Sequence, residues 1–288
     1  MSEPPRIAVV GAGVLGASVA HALAERGHAV VLVDRDASAL ERAPAAIRAG
    51  ARLARLQGRS ASAPRDLLAR VHFTTAVADL AGVDMVIENV TEDLEIKLGV
   101  HHELDAVCAH DCVFAANTSA IPIAKLAVAT RRPERLVGVH FMNPVPLSAM
   151  VEVVRGARTS EATLARVAAL LGAMGKDFIV VNDAPGFVIN RVLMPAINEA
   201  IAVVHEGTAS AAEVDRLFQS CFGHPMGPLR TADLIGLDTV LHTLEVLHDN
   251  LGGGRAPCPL LREMVARGLL GRKSGQGFFL YDPGVLHG

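Results

Sequence analysis

The stretch that decides the fold is "RIAVVGAGVLGASVAHALAERGHAVVLVDRD", Arg6 to Asp36. A short apolar run comes directly before a G-x-G-x-x-G pattern, an amphipathic run follows it, and a second apolar run closes the unit. Gly11 permits a tight turn, Gly13 lets the backbone approach a pyrophosphate, and Gly16 lets the helix pack closely on the strand. The stretch therefore predicts a strand, a helix and a second, parallel strand.

The same stretch predicts a dinucleotide site. The turn and helix start, including Val14 and Leu15, would offer backbone N–H groups and a partial positive charge to phosphates. Asp34 ends the second strand, 23 positions after Gly11, where a carboxylate can accept ribose hydroxyls and would repel a 2′-phosphate. The pattern favours NAD over NADP, although Arg35 could still attract that phosphate. The alternative is that the glycines serve only a turn.

Short apolar runs alternate with longer amphipathic runs along the first two thirds of the chain, which is typical of a parallel sheet with crossover helices. A helical pattern with apolar positions at 164, 167, 168 and 171 could be capped by Thr159 or Ser160. The fold class predicted is α/β, with a Rossmann-type, doubly wound and mainly parallel sheet. Its predicted strands include residues 7–10, 29–33, 85–87, 113–116, 136–139 and 177–181.

The pattern changes near residues 183–186, where Pro185 and Gly186 break the last strand. Long helical patterns recur beyond this point, and no β-rich run of similar strength appears before "GFFLYD" at the carboxyl end. We therefore predict an NAD-binding Rossmann-type domain over residues 1–184 and an all-α domain over residues 185–288.

Composition excludes several classes of protein. No apolar run approaches the roughly 20 residues of a membrane helix, the formal net charge of -3 gives no reason to expect nucleic acid or an anionic membrane, and the start lacks a secretion pattern. We expect a soluble, cytoplasmic protein. His101 and His102 are adjacent, which favours an exposed helix face over a metal site. The cysteines lack C-x-x-C spacing and are interpreted as reduced and packed; they stand at 108, 112, 221 and 258.

A second stretch, "VGVHFMNPVPLSAMVEVV" at 137–154, carries a lone histidine at the end of one apolar strand and a lone glutamate in the next. A turn over residues 143–146 can bring His140 and Glu152 together as a hairpin would. A carboxylate that accepts one ring N–H fixes the tautomer and raises the basicity of the other nitrogen, which suits a general base. The alternative is a buried histidine satisfied by its neighbour, a common structural pair.

Eight motifs in order then identify a resemblance: GAGVLG, IENVTEDLEIK, ANTSAI, HFMNPVP, VEVV, PGFVINR, GPLRTADLIGLD and GRKSGQGFFLY. The chain resembles the L-3-hydroxyacyl-CoA dehydrogenase family, including short-chain 3-hydroxybutyryl-CoA dehydrogenases. The resemblance implies NAD-dependent interconversion of an (S)-3-hydroxyacyl thioester, of short chain and carried by CoA, and its 3-oxoacyl thioester. It also implies that residues 185–288 close the substrate cleft and form a homodimer.

The resemblance assigns roles to individual residues. His140 and Glu152 match the catalytic dyad, and Ser119 and Asn190 match positions that hydrogen-bond the reacting oxygen or the thioester carbonyl. As alternatives, Ser119 could cap a helix and Asn190 could be an ordinary polar helix residue. Contacts to the cofactor are implied at Glu92, Lys97, Asn117, Ser119 and Asn143.

For two of these positions a plainer role competes. Glu92 could be a first-turn helix acid, which is itself favourable, and Lys97 could lie on an exposed helix face. No metal ligand is implied.

The chain departs from the family pattern at Asn89, Met142 and Ala149, and these changes bear on the acyl and thioester contacts. An acyl group carried by a carrier protein is therefore an alternative to CoA. Oxidation of a free hydroxy acid or sugar acid is a second alternative, and an NAD(H)-binding structural or sensor protein is a third. Four arginines could reach CoA phosphates, although a solvated helix face explains them equally well: Arg48, Arg52, Arg55 and Arg59.

Overall fold

A computed structural model describes residues 5–59, 62–253 and 256–282. The chain divides into two compact units, Met1–Ala184 and Pro185–Gly288. Each unit has its own hydrophobic core.

The first unit is built on one eight-stranded sheet, in the order β3-β2-β1-β4-β5-β6-β7-β8. The strands β1 to β6 run parallel, β7 is antiparallel to β6, and β8 is parallel to β7. The carboxyl ends of β1 to β6 therefore lie at one edge of the sheet. The strands are β1 (Ile7–Val10), β2 (Val30–Val33), β3 (Val71–Thr74), β4 (Met85–Glu88), β5 (Val113–Asn117), β6 (Leu136–Phe141), β7 (Met150–Arg155) and β8 (Asp177–Asn182).

The connections carry helices, so the predicted Rossmann-type α/β fold is confirmed. Sequence analysis missed β3, a strand of four residues with only its first residue buried. Ser160 caps α6, because its hydroxyl accepts a hydrogen bond from the N–H of Thr163, whereas Thr159 donates to the carbonyl of Leu136 at 2.6 Å. The helices are α1 (Val14–Glu25), α2 (Ala37–Leu56), α3 (Pro64–Leu68), α4 (Leu94–Val107), α5 (Ile123–Leu126) and α6 (Glu161–Ala173).

The glycine turn shows why the motif needs its residues. Gly11 has φ +95°, a conformation that glycine adopts without steric cost. A Cβ added at Gly16 would overlap the carbonyl oxygen of Gly11, so α1 can pack against the turn only because position 16 lacks a side chain. The apolar face of α1, including Val19 and Leu23, is fully buried in the core.

The second unit is helical, and the predicted all-α domain is confirmed. Its core is formed by α7 to α11 around residues such as Ile197, Leu229, Leu244 and Leu261, with Val214 of α8 also buried in it. The β-rich "GFFLYD" segment forms only isolated bridges within residues 271–280. The helices are α7 (Ile189–His205), α8 (Ala211–Phe222), α9 (Pro228–Ile235), α10 (Leu237–Leu251) and α11 (Pro259–Ala266).

Two predictions of surface placement are wrong. His101 is fully buried at 0% exposure, because it lies on the face of α4 that packs against the end of β4, whereas His102 is exposed. Cys221 is exposed near the end of α8, and only the other three cysteines are buried. Within the described ranges, every helix is too short or too polar to cross a membrane.

Candidate active site

A cavity of about 450 Å³ opens at the carboxyl ends of β1, β2 and β4. Five of the residues predicted to bind the cofactor line it: Gly11, Gly13, Val14, Leu15 and Asp34.

The remaining predicted cofactor residues, Gly16, Glu92, Lys97, Asn117, Ser119 and Asn143, are not part of its wall.

The start of α1 is suited to bind a pyrophosphate. Gly13 is the N-cap of α1, and no side chain caps this helix end. A Cβ added at Gly13 would meet no protein atom within 4 Å, so the backbone faces open space in the cavity. The uncapped helix start and the bare backbone therefore fit a dinucleotide.

Asp34 has a second role that sequence analysis missed. Its carboxylate accepts hydrogen bonds from the N–H of Ala12 at 2.6 Å and from the N–H of Asp36 at 2.9 Å. These bonds fix the glycine turn to the end of β2. Each carboxylate oxygen has further lone pairs, so Asp34 can still accept a ribose hydroxyl.

The competing role of Arg35 as a phosphate ligand is weakened by its partner. A guanidinium nitrogen of Arg35 lies 2.7 Å from the Oε2 of Glu103, and both residues line the cavity. Glu103 neutralises this cation near Asp34. Sequence analysis assigned no role to Glu103. With Arg35 and Glu103 paired, the net charge at this end is the negative charge of Asp34, which disfavours a 2′-phosphate.

His140 and Glu152 come together on neighbouring strands. They are direct partners in the antiparallel register of β6 and β7, so both side chains lie on the same face of the sheet. The Nδ1 of His140 lies 3.0 Å from the Oε2 of Glu152, and the residues are only 6% and 5% exposed. If Glu152 is ionised, Nδ1 carries the proton and Nε2 carries the lone pair that a general base needs.

Ser119 follows β5 at the edge where His140 lies. Asn117 pairs with Val139 in the parallel register, and the N–H of Thr118 donates to the carbonyl of Val139 at 3.3 Å. The main chain leading to Ser119 is thus fixed beside the strand that carries His140.

Glu92 holds this segment in place. Its Oε1 accepts hydrogen bonds from the hydroxyl of Thr118 at 2.6 Å, the N–H of Ser119 at 2.7 Å and the N–H of Ala120 at 3.1 Å. Glu92 is outside α4, whose N-cap is Asp93, so the competing role as a first-turn acid does not apply. The structure gives Glu92 the contacts of a residue that positions Ser119.

Lys97 lies in a buried ionic cluster that sequence analysis missed. It is 0% exposed, and its Nζ lies 2.9 Å and 3.1 Å from the carboxylate oxygens of Glu88 and 2.8 Å from the carbonyl of Asn117. The Nε2 of His101 lies 3.4 Å from Glu88. Burial raises the pKa of Glu88, but attraction to Lys97 and His101 outweighs it and holds this pKa below its ordinary value.

The alternative reading of Lys97 as a solvated residue is therefore wrong. A signal for this cluster was present in the sequence, because Lys97 and His101 are four residues apart on one helix face and Glu88 ends an apolar strand.

Two asparagines connect the cavity to β6. The side-chain amide of Asn117 donates to the Oδ1 of Asn89 at 2.6 Å, and its own Oδ1 accepts from the N–H of Phe141 at 3.3 Å. Asn89, one of the departures from the family pattern, lines the cavity. Asn117 thus lies behind the wall and supports it.

The last two predicted residues occupy different places. Asn143 is exposed in the connection between β6 and β7. Asn190 is buried in the first turn of α7, in the second unit, after a turn in which Gly186 and Phe187 have positive φ. In the described part of the chain, no group of three or more His, Cys, Asp or Glu side chains is arranged to hold a metal ion.

Comparison with known proteins identifies the family of the chain. The model of the 3-hydroxyacyl-CoA dehydrogenase NAD-binding domain matches residues 6–184, and that of the family's C-terminal domain matches residues 186–281. A probable 3-hydroxybutyryl-CoA dehydrogenase of Deinococcus radiodurans is 44% identical over 277 residues, which cover 96% of this chain and all of that protein.

Solved structures show the same similarity. The crystal structure of (S)-3-hydroxybutyryl-CoA dehydrogenase from Ralstonia eutropha has a TM-score of 0.89 and 41% identity, with 97% of this chain and all of that chain covered. The predicted cofactor, NAD, is confirmed by the matching NAD-binding domain. The chain belongs to the 3-hydroxyacyl-CoA dehydrogenase family and is an NAD-dependent oxidoreductase.

Proposed function

We propose that the protein interconverts short-chain (S)-3-hydroxyacyl-CoA and 3-oxoacyl-CoA. The observation that carries the proposal is the His140–Glu152 pair, at the sheet edge where the cofactor cavity also opens. The names of the similar proteins support 3-hydroxybutyryl-CoA as the substrate class.

In the oxidative direction, the Nε2 of His140 takes the proton of the substrate hydroxyl. NAD bound in the cavity would supply the hydride acceptor, so that the substrate C–H bond breaks with its electron pair and the alcohol becomes a ketone. Glu152 accepts a hydrogen bond from the Nδ1–H of the imidazolium and stabilises its positive charge. In the reductive direction the imidazolium returns the proton to the alkoxide oxygen.

Ser119 and Asn190 are proposed to hold the reacting oxygen and the thioester carbonyl through hydrogen bonds. For Ser119, support comes from the bonds that Glu92 makes with its segment. For Asn190, the role rests on the match of "PGFVINR" to the family pattern. Both are uncharged polar groups, which suit orientation of a carbonyl oxygen.

One assay tests the substrate class. NADH absorbance is followed with acetoacetyl-CoA, with the acetoacetyl thioester of a carrier protein, and with free 3-hydroxy acids and NAD. We expect acetoacetyl-CoA to be reduced with the highest kcat/KM. A higher kcat/KM for the carrier-protein thioester or for a free acid would replace CoA as the substrate. NADH binding without turnover of any of them would favour a sensor.

We also propose that the second unit forms a homodimer in a cytoplasmic protein. It exposes large apolar side chains at Val192, Leu217, Phe222, Leu234 and Leu280, which a second copy could cover. Light scattering should then give about 60 kDa, twice the 30.2 kDa of the chain. A mass of one chain at micromolar concentration would contradict the dimer.

A further inference from the structure

A second cavity in the first unit, of about 270 Å³, lies beside the connection between β6 and β7. Three cationic side chains line it: Arg26 after α1, Arg59 after α2, and Lys176 before β8. Much of the remaining wall is small or apolar, as at Ala54 and Pro146. Of the four arginines considered for phosphate contacts in the sequence, only Arg59 lines this cavity.

The three cations are not balanced by protein carboxylates. In the described ranges, no carboxylate oxygen lies within 4.0 Å of Arg26, Arg59 or Lys176. Glu25 also lines the cavity, but its carboxylate lies 3.6 Å from the Nε2 of the buried His21. The wall therefore carries three positive charges against one negative charge.

Lys176 is the buried member of the three, at 7% exposure. Its Nζ donates to the backbone carbonyls of Val145 and Ser148, each at 2.6 Å, and these acceptors are dipoles without a net charge. Burial lowers the pKa of Lys176, and repulsion by Arg26 and Arg59 lowers it further. An anion in the cavity would remove this repulsion.

The guanidinium groups are placed to act together with Lys176. The guanidinium of Arg26 lies against Gly175, where an added Cβ would overlap it. Arg59 donates to the carbonyl of Leu147 at 3.2 Å, in the same connection that Lys176 holds. Arg26 and Arg59 are exposed, so a ligand can reach them from solvent.

We propose that this cavity binds a phosphate group. Guanidinium groups offer paired N–H donors that match phosphate oxygens, and an ammonium adds a compact charge. A volume of about 270 Å³ also leaves room for part of the molecule that carries the phosphate. The bound group would contact the connection that begins after His140 and ends before Glu152.

Two kinds of molecule carry this chemistry. One is the phosphate-bearing CoA part of the thioester substrate, and this source rests on the proposed function. The other is a free phosphate compound, which does not depend on the proposed function. The phosphate site itself is common to both.

Calorimetric titration with inorganic pyrophosphate in chloride buffer tests the site, with the full chain kept in saturating NAD so that the start of α1 is occupied. We expect the Arg26→Gln/Arg59→Gln double variant to bind at least about tenfold more weakly, since each lost bond to a charged group is substantial. The matched control is Arg65→Gln, an exposed arginine on α3 outside the cavity wall. Lys176 is left intact because it holds the connection.

Absence of pyrophosphate binding by the wild type would overturn the proposal. Equal affinity in the double variant and in Arg65→Gln would also overturn it. Urea midpoints of all three proteins show whether each variant is folded, and the single variant Arg59→Gln replaces the double variant if the latter is not.

Kinetics then identify the source. If the bound phosphate belongs to the CoA part of the substrate, the double variant should raise KM for acetoacetyl-CoA about tenfold, with a much smaller effect on kcat. Acetoacetyl-pantetheine, which lacks phosphate, should show no such change. An unchanged KM together with weakened pyrophosphate binding would assign the site to a free phosphate compound. Failure of the proposed function would appear as no turnover with either thioester, and would leave the calorimetric result standing.

Discussion

Among the described residues of the first unit, two His–Glu pairs have both members buried, and the surroundings of these pairs differ. In the pair of β6 and β7, His140 and Glu152 are direct cross-strand partners with Nδ1 and Oε2 3.0 Å apart. In the pair of α4 and β4, His101 lies 3.4 Å from Glu88. The carboxylate of Glu88 is already engaged by the ammonium of Lys97 at 2.9 Å.

This difference shows that burial and proximity alone do not identify a catalytic dyad. The Glu88 carboxylate is balanced in charge by an ammonium, so its contact with a histidine is explained by a structural ion-pair cluster. The Glu88–Lys97–His101 cluster is best explained as support for α4 and β5, because Lys97 also binds the carbonyl of Asn117. Four predictions test this contrast, in order of expected effect.

The largest effect should come from the two histidines themselves. His140→Ala should lower turnover by roughly 10² to 10⁴, the usual contribution of a general acid or base, while NADH affinity measured by fluorescence stays near normal. The matched variant His101→Leu should reduce stability but keep kcat of the folded enzyme within a few-fold. Near-normal turnover of His140→Ala would end its assignment as the base.

The second prediction concerns the cation that balances Glu88. Lys97→Met leaves a buried carboxylate without its ammonium and should lower the free energy of unfolding by about 3–5 kcal/mol. Urea denaturation followed by circular dichroism measures the change. A loss below about 1 kcal/mol would mean that water reaches Glu88 in solution, and the contrast between the two pairs would fail.

The third prediction extends the contrast to a carboxylate of the cofactor cavity. Asp34→Ser should lower the preference for NAD over NADP by about tenfold or more, because a hydrogen bond to a charged group and a repulsion are both removed. The ratio of kcat/KM for the two cofactors measures it. An unchanged ratio would show that Asp34 acts only on the glycine turn, through its bonds to Ala12 and Asp36.

The smallest effect should appear in the pH dependence of stability. The folded pKa of Glu88 is lowered, so its ionisation stabilises the fold above the ordinary carboxyl pKa, and this contribution is lost as pH falls through the folded value. Urea midpoints between pH 7 and pH 3 should therefore decline on the acid side. The urea midpoint of Glu88→Gln should fall less steeply with decreasing pH than that of the wild type. An identical fall in both proteins would contradict the role of Glu88.

Some features could be predicted from the sequence because their patterns are local. The glycine turn, its strand and its helix lie within Arg6–Asp36, and the cap of α6 could be narrowed to Thr159 or Ser160, of which Ser160 is the cap. The approach of His140 and Glu152 could be expected because a short connection joins two strands. Their catalytic role stays a prediction.

Other features depend on residues far apart in the chain. Glu92 meets the backbone at 118–120, and Lys97 meets Asn117, and nothing in the pattern around either residue indicates these partners. Arg26 and Lys176 line one cavity from opposite ends of the first unit's sequence. Tertiary packing alone decides such contacts between distant segments.

The antiparallel turn-back of β7 has a consequence for protein engineering. Because the ladder between β6 and β7 fixes which residues face each other, a slip by one residue would move Glu152 to the opposite face of the sheet. The segment 142–149 that joins the two strands helps to set this register, so a redesign that aims to change the substrate should replace its residues without changing its length. Designers should keep the carbonyls that face Lys176 when they choose the replacement.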